Sequence, residues 1–152
     1  MVYKPKSKLE YRKFRVRGHI RSFRDLEIYK KTTWLSSQIY GIELPPKIKG
    51  KKLLERELEL LRNISKQIPR LIAESYGDRY TNRQLAYAKL EESMQHIRQT
   101  IAKMDFIIAA VEKNQELKHS LTKLIGKYQR QRRKILNLKK AWERIEEKRN
   151  QQ

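Results

Sequence analysis

A regular heptad stripe over residues 87–111 most constrains how this chain can fold. Its apolar positions recur at alternating spacings of three and four residues: Tyr87, Leu90, Met94, Ile97, Ile101, Met104, Ile108 and Val111. Such spacing predicts a long helix that is buried along one narrow face. No Gly or Pro interrupts residues 84–124. A helix with this stripe needs partner helices, which the rest of the sequence must supply.

Three further segments have helical periodicity. The first contains Phe23, Leu26, Tyr29, Leu35, Ile39 and Tyr40; the second contains Leu54, Leu58, Leu61, Ile64, Ile68 and Ile72; the last contains Leu117, Leu121, Leu124, Tyr128, Ile135, Leu138, Trp142 and Ile145. The last stripe has the polar Gln131 at one heptad position. The sequence therefore predicts an all-α, up-and-down antiparallel four-helix bundle with long third and fourth helices. The predicted helices span about 22–41, 52–75, 82–112 and 115–148.

Residues at the helix ends refine these boundaries. Ser22 is a predicted N-cap of the first helix, with Asp25 in its first turn. Thr81 or Asn82 is expected to cap the third helix. Because the first two helices are shorter than the last two, the fourth is expected to extend beyond the bundle after about Gln131, where Trp142 and Ile145 would need a partner.

The second helix contains a proline. Pro69 removes one backbone hydrogen bond and crowds the preceding turn, which predicts a kink near residues 65–68. Two shorter helices broken at Gln67 are the alternative. Gly77 is expected to end the segment as a left-handed cap.

The charge balance indicates a polyanionic partner. The 152 residues include 37 Lys and Arg against 17 Asp and Glu, a net charge of +20. Solubility requires a charge of only about 2–8 for a small domain. Nucleic acid is the favoured partner; an anionic membrane surface and a basic surface without a specific site are the alternatives. The chain has no cysteine. It also shows no apolar leader or membrane-spanning run, so we expect a cytoplasmic protein that does not contact membranes.

Residues 1–21 form a basic N-terminal arm in this interpretation, and residues 22–149 form the bundle. Basic side chains neutralise phosphates, and aromatic rings stack on unpaired bases. The alternative is a disordered tail that binds any polyanion. The candidate contact residues of the arm are Lys4, Lys6, Lys8, Tyr11, Arg12, Lys13, Phe14, Arg15, Arg17 and Arg21.

The fourth helix contains the second candidate region for nucleic-acid binding. Lys127, Arg130 and Lys134 are spaced so that they share one face, which suits a row of phosphate contacts. A solvated helix face, partly balanced by nearby glutamates, is the alternative. The candidate residues are Lys127, Arg130, Arg132, Arg133, Lys134, Lys139 and Lys140.

No pattern in the sequence indicates catalysis or a cofactor. His19, His96 and His119 lack the spacing of a metal-binding helix. The glycines form no phosphate-binding loop, and no nucleophile motif is present. We therefore expect no catalytic residue, no metal, no cofactor and no enzymatic activity.

Two stretches resemble one family. Residues 22–29 (SFRDLEIY) and 62–77 (RNISKQIPRLIAESYG) are similar to the opening helix and the R-x-x-x-x-I-P-x-x-I-A-E-G-Y-G signature of the "four helix bundle protein" family. Members of that family are encoded in intervening sequences of bacterial large-subunit ribosomal RNA genes. Ser75 stands where the family has glycine. The resemblance covers about residues 22–111; the arm and the basic fourth helix depart from the family pattern.

The resemblance implies a homo-oligomeric bundle, typically a ring of five, without known catalytic residues. A related branch, the accessory variability determinant (Avd) of diversity-generating retroelements, has similar pentameric bundles that bind nucleic acid and a reverse transcriptase. We therefore expect a non-enzymatic, homo-oligomeric accessory protein that binds RNA, with DNA or an RNA–DNA hybrid as alternative ligands and a reverse transcriptase as a candidate partner. The alternative is a protein–protein scaffold that has no specific nucleic-acid recognition.

Overall fold

The computed structural model describes residues 23–151, without the side chain of Asp25. A short 3-10 turn at Phe23–Asp25 precedes four α-helices: α1 (Glu27–Tyr40), α2 (Lys51–Asp78), α3 (Arg83–Ala110) and α4 (Gln115–Asn150). The predicted arm and the predicted N-cap Ser22 lie outside the described residues. Within 23–151 there is no β-strand, and no helix is long and apolar enough to cross a lipid bilayer.

The helices form the predicted all-α bundle. Successive helices pack against each other, and α1 also packs against α4, whereas the diagonal pairs make no backbone contact in the described part of the chain. The α2–α3 interface is the most extensive, and the α1–α4 interface is the least extensive of the four helix–helix interfaces. The bundle is therefore most open along the groove between α1 and α4.

The fully buried line of α3 is one residue off the predicted heptad stripe at several positions. The buried line includes small and polar residues: Ala86, Leu90, Ser93, Ile97, Thr100, Met104 and Ile107, all 0% exposed. Tyr87, Ile101 and Ile108 are only half-buried beside it. Small side chains let neighbouring helices approach closely, and apolar residues on both flanks widen the buried face beyond a narrow stripe. The Ser93 hydroxyl remains satisfied because it donates to the Leu90 carbonyl at 2.6 Å.

The first helix begins at Glu27, later than the predicted start near residue 22. Leu26 has extended backbone angles, with φ −68° and ψ 123°, so the helix cannot continue through it. Its side chain is buried, and its N–H donates to the Phe23 carbonyl at 3.0 Å, which closes the preceding turn. Burial of Leu26 therefore takes precedence over the helical spacing that suggested an earlier start.

The second helix is continuous, so the predicted alternative of two helices broken at Gln67 is wrong. Pro69 lies inside it and is buried. Gly77 is not a left-handed cap, since the helix continues through it to Asp78, whose carbonyl accepts from Asn82 N–H at 2.8 Å. The only residue with positive φ in the described chain is Gly50, at 71°, directly before α2. This left-handed conformation favours glycine, which has no Cβ.

The fourth helix packs along α3 instead of extending freely. The Tyr87 hydroxyl donates to Glu146 at 2.6 Å, and Lys139 donates to Glu91 at 3.0 Å. Asn82 and Asn114 accept from backbone N–H groups as N-caps of α3 and α4, which confirms the predicted cap at Asn82. The predicted overhang after Gln131 is therefore wrong, because the end of α4 runs beside the start of α3 and half-buries Trp142.

The core also contains polar side chains, and the heptad pattern of the sequence predicted burial for only two of them, Tyr128 and Gln131. Ser36 and Ser65 share a hydrogen bond of 3.0 Å between α1 and α2. Thr100 and Tyr128 are 0% exposed and Gln131 is 1% exposed, yet Oγ1, Oη and Oε1 of these residues have no partner among the residues described. Burial without a partner raises the pKa of the Tyr128 hydroxyl well above its usual value.

Candidate nucleic-acid interface

Cations and anions are distributed unequally over the bundle. Every ion pair recorded within residues 23–151 includes at least one side chain of α2 or α3. By contrast, residues 117–142 of α4 contain nine Lys or Arg and no Asp or Glu. The positive charge of the folded part is thus least compensated along α4.

Four of these cations form a continuous row, here called the basic ridge: Lys123, Lys127, Arg130 and Lys134. They are spaced by four, three and four residues, which places them on one face of a helix. Lys127 is half-buried and the other three are exposed. None of the ion pairs of the described chain includes them. The ridge can therefore contact a row of anionic groups without first breaking internal ion pairs.

The basic ridge borders the groove between α1 and α4. Trp34 of α1 lies in this groove and is 40% exposed. Two lysine ammonium groups approach its ring: Lys31 Nζ is 4.7 Å from the ring centroid, and Lys127 Nζ is 4.6 Å from it. The groove has a volume of about 580 Å³ and continues to Glu43 and Glu116 at its other end. It thus combines an accessible aromatic ring with cations on both helices.

The remaining predicted cations of α4 lie elsewhere. Lys139 is half-buried and paired with Glu91 of α3, so it faces α3 and not the groove. Arg132, Arg133 and Lys140 are exposed and have no ion pair with any described residue. One residue advances a helix by about 100°, so Arg133 lies away from its neighbour Lys134. The structure thus brings together only Lys127, Arg130 and Lys134 of the predicted set on this ridge.

All the predicted contact residues of the arm lie outside the described part of the chain. They are Lys4, Lys6, Lys8, Tyr11, Arg12, Lys13, Phe14, Arg15, Arg17 and Arg21. The arm therefore stays a prediction, and the candidate interface rests on α1 and α4.

The candidate interface contains three residues that the sequence pattern did not predict: Trp34, Lys31 and Lys123. Trp34 precedes the buried Leu35 and lies off the apolar stripe of α1, so periodicity gave it no role. One signal was available: Lys31, Trp34 and Gln38 are spaced three and four residues apart and so share a face. The absence of any acidic residue in 117–142 was a second signal, and it would have extended the ridge to Lys123.

The paired charges of α2 and α3 contrast with the ridge. Lys89 lies 2.7 Å from Asp78 and 3.1 Å from Glu74. The hydrogen bond from Lys89 to Asp78 raises the pKa of Lys89; partial desolvation opposes this rise, and the hydrogen bond to Glu74 adds to it. Burial opposes ionisation of Glu74, but hydrogen bonds from Lys89 and Arg70 outweigh it and hold the pKa of Glu74 below its usual value. These cations already have carboxylate partners, and they are poor candidates for binding phosphate.

A second aromatic and basic cluster lies at the turn between α2 and α3. The Arg79 guanidinium carbon is 4.3 Å from the Tyr80 ring centroid, and that of Arg149 is 5.7 Å from it. Tyr80 is 66% exposed. Arg79 also lies over the Tyr76 ring at 3.5 Å, so its charge already has two aromatic contacts. This cluster is smaller than the ridge and adjoins a cavity of only about 100 Å³.

Comparison with protein-family models, with curated proteins and with solved structures found no match. The resemblance to the four-helix-bundle family therefore stays a prediction from residues 22–29 and 62–77. Within the described residues, no group of three or more His, Cys, Asp or Glu side chains could hold a metal ion.

Proposed function

We propose that this protein is a non-enzymatic RNA-binding accessory protein whose basic ridge on α4 contacts the phosphate backbone. The observation that carries the proposal is the row of Lys123, Lys127, Arg130 and Lys134, none of which is paired with a carboxylate in the described chain. Neutralising phosphates releases bound counterions, which supplies affinity without reading sequence. Shape or a protein partner would supply specificity.

The protein acts as a homo-oligomer in this proposal, five-membered as the family resemblance implies. Support comes from an apolar patch consisting of Leu53, Leu60 and Phe106, which are 53%, 43% and 49% exposed. An ion pair of 3.0 Å between Lys103 of α3 and Glu57 of α2 fixes where these residues lie relative to each other. Leu53 and Leu60 lie one helical turn on either side of Glu57, and Phe106 lies one turn beyond Lys103. Exposed apolar side chains that cluster in this way are typical of protein contact surfaces.

Several copies in one particle would place several ridges on one RNA. Each ridge then binds at the high effective concentration set by the others, so avidity exceeds the affinity of one copy. DNA and RNA–DNA hybrids have the same charged backbone and are tested as competitors of RNA.

The decisive experiment removes charge from the ridge. A triple variant with Lys123→Gln, Arg130→Gln and Lys134→Gln is compared with a control variant with Arg56→Gln, Lys66→Gln and Arg98→Gln. The control also removes three exposed cations that have no ion pair in the described chain, but from α2 and α3. Binding of labelled RNA is measured by fluorescence anisotropy over a range of salt concentrations.

We expect the ridge variant to bind about 10- to 100-fold more weakly near 0.1 M salt and to show a shallower salt dependence, because each lost phosphate contact removes about 0.7 from the log–log slope on a single strand. The control variant should bind nearly as well as the wild type. Equal losses in both variants would mean that only net charge matters, and salt-independent binding by the wild type would refute the electrostatic mechanism.

The apolar patch also favours a second candidate, a protein scaffold that assembles without nucleic acid. Native mass is measured with and without nuclease for the wild type and for a Leu60→Lys, Phe106→Lys variant. An oligomer that survives nuclease, dissociates in the variant and leaves RNA unbound would support the scaffold. A reverse transcriptase partner is tested by the same comparison, with purified enzyme added before and after nuclease treatment.

A further inference from the structure

We propose that the groove between α1 and α4 binds an unpaired nucleobase, which stacks on Trp34 while the adjoining phosphates contact the basic ridge. This inference rests on the proposed function and adds to it the class of nucleic acid that the site prefers, a single strand. None of the α1 residues that line this groove belongs to the contact residues predicted from the sequence.

The surroundings of Trp34 fit a base-stacking site. Its ring is large, apolar and 40% exposed, although the neighbouring Leu35 is fully buried in the core. The ring is held at the groove by its position on α1, between Lys31 one turn before and Gln38 one turn after. Proteins stack unpaired bases on exposed aromatic side chains beside a positively charged groove, and Trp34 next to the basic ridge has this combination.

Lysines at the ring do not prevent stacking. The ammonium groups of the half-buried Lys31 and Lys127 lie 4.7 Å and 4.6 Å from the centroid of a ring that is 40% exposed, so solvent weakens the cation–π attraction. Stacking of a base on an aromatic ring is the stronger interaction. A base can therefore displace one ammonium group, which remains within reach of the phosphate attached to that base.

Charge along the groove indicates how the strand lies. Glu43 and Glu116 line the end near the α1–α2 loop and repel phosphate, whereas Lys123 and Lys127 line the middle. Arg130 continues the ridge in the opposite direction from Glu116. The backbone is thus expected to run from Trp34 along the ridge toward Lys134, away from the two glutamates.

A base pair does not fit this arrangement. In a duplex the faces of the bases are stacked on each other inside the helix, so Trp34 can reach them only after unstacking. The groove, of about 580 Å³, lies beside a helix and has room for one base with its sugar. The polar side chains of Gln38 and Ser120 line the groove. Because there are few such groups to hydrogen-bond a base edge, we expect the groove to accept different bases without specific recognition.

Tryptophan fluorescence tests the contact directly. The chain has two tryptophans, so Trp142→Phe leaves Trp34 as the sole indole. Single-stranded oligouridylate of about ten nucleotides should quench this fluorescence, whereas an RNA duplex of equal length should bind through the ridge with little quenching. The reciprocal Trp34→Phe protein, which retains Trp142, should show no quenching with either RNA. Equal quenching by duplex and single strand, or quenching of Trp142 alone, would overturn the assignment.

Affinity provides the second measurement. Trp34→Leu should weaken oligouridylate binding about tenfold and leave duplex binding unchanged, and Trp34→Phe should retain most of the affinity. Tyr40→Leu is the matched control, because Tyr40 is on the same helix and 46% exposed but its ring faces Arg62 of α2 at 5.9 Å. Thermal unfolding of each variant is measured to check that it is folded.

The outcomes separate this inference from the proposed function. Wild-type protein that binds neither single-stranded nor duplex RNA refutes both. Binding that depends on the ridge, with Trp34 fluorescence unchanged and Trp34→Leu as tight as wild type, refutes the stacking site alone. Selective quenching together with selective loss in Trp34→Leu supports it.

Discussion

The two halves of the bundle differ in what their charged side chains contact. On α2 and α3, cations such as Lys89 and Lys103 lie within 3.1 Å of carboxylates. On the groove side, ridge residues have no carboxylate partner in residues 23–151, and Lys127 instead contacts the ring of Trp34. Several cations of α2 and α3, where the helices pack most extensively, thus have a carboxylate partner, whereas the ridge cations, beside the least extensive interface, have none among the described residues.

This difference indicates a division between stability and binding. The buried line of α3 contacts its neighbours over its whole length, while the ridge points away from the core. Concentrated like charge destabilises a fold slightly through repulsion, which a polyanion relieves on binding. The following changes test the division in order of decreasing expected effect on stability, apart from the ridge variant, which is the counterpart of the first.

Truncation of the α3 core should have the largest effect. Ile97→Ala removes a side chain that is 0% exposed at the centre of the bundle, so we expect the free energy of unfolding to fall by about 3 kcal/mol. Urea unfolding followed by circular dichroism, at one fixed protein concentration, provides the measurement. RNA affinity under conditions where the variant stays folded should be unchanged.

The ridge variant described above is the counterpart. Its three substitutions are at exposed positions, so its free energy of unfolding should stay within about 0.5 kcal/mol of wild type or rise. If the ridge variant unfolded as easily as Ile97→Ala, the proposed division between the two halves would be wrong.

Gln131 is the polar exception on the buried side of α4. Its Oε1 has no partner among the described residues although the residue is only 1% exposed, so Gln131→Leu should raise the free energy of unfolding by about 1–2 kcal/mol. Gln131→Glu places a charge at the same position and should destabilise instead. A loss of stability in the leucine variant would indicate that the amide binds an ordered water or serves a specific helix register.

Gln131 also shows how far the sequence could predict this molecule. Heptad spacing correctly identified four helices and placed Gln131 on the buried side, because burial sets the period. It could not reveal that Ser93 and Thr100 lie on the central line of α3, because a periodicity of apolar residues assigns polar residues to the exposed faces of a helix. Apolar pattern alone cannot identify such positions.

The candidate site was only partly predictable for a similar reason. Basic residues of α4 are visible in the sequence, but whether each one is paired depends on which helix lies beside it. Lys139 meets Glu91 of α3, while Lys127 meets Trp34 of α1. Helix order around the bundle decides between these outcomes, and spacing within one helix does not specify it.

Two tyrosines test the packing between α3 and α4. Tyr87 donates to Glu146, whereas the Tyr128 hydroxyl is buried without a partner in the described chain. Tyr87→Phe should therefore cost about 1 kcal/mol, and Tyr128→Phe should be neutral or stabilise by a similar amount. Chemical denaturation of both variants at neutral pH gives the comparison, and equal destabilisation would show that the Tyr128 hydroxyl does have a partner.

The same residues predict the alkaline behaviour. Burial, then the hydrogen bond to Glu146, raises the pKa of Tyr87 from 10.0 to about 12. A raised pKa favours the protonated hydroxyl in the folded state, so the contribution is fully present below pH 10 and is lost as the pH rises toward 12. Stability of the wild type should fall across that window, and the fall should be smaller in Tyr87→Phe.

The smallest expected effect concerns one ion pair between α2 and α3. Glu57 and Lys103 are 3.0 Å apart, with about a quarter of each side chain exposed (24% and 26%). A double-mutant cycle with Glu57→Gln and Lys103→Gln should give a coupling of about 0.5 kcal/mol that decreases as salt is added.

Repulsion within the ridge is also screened by salt, but there screening stabilises the fold. The stability that the ridge variant gains over wild type should therefore decrease in high salt, because salt already screens the repulsion that the substitutions remove. The Glu57–Lys103 coupling should also decrease, because salt screens the attraction between the two side chains. If screening by salt changed the stability of the fold in the same direction at the ridge and at the Glu57–Lys103 pair, the charges would not be organised as the ion pairs indicate.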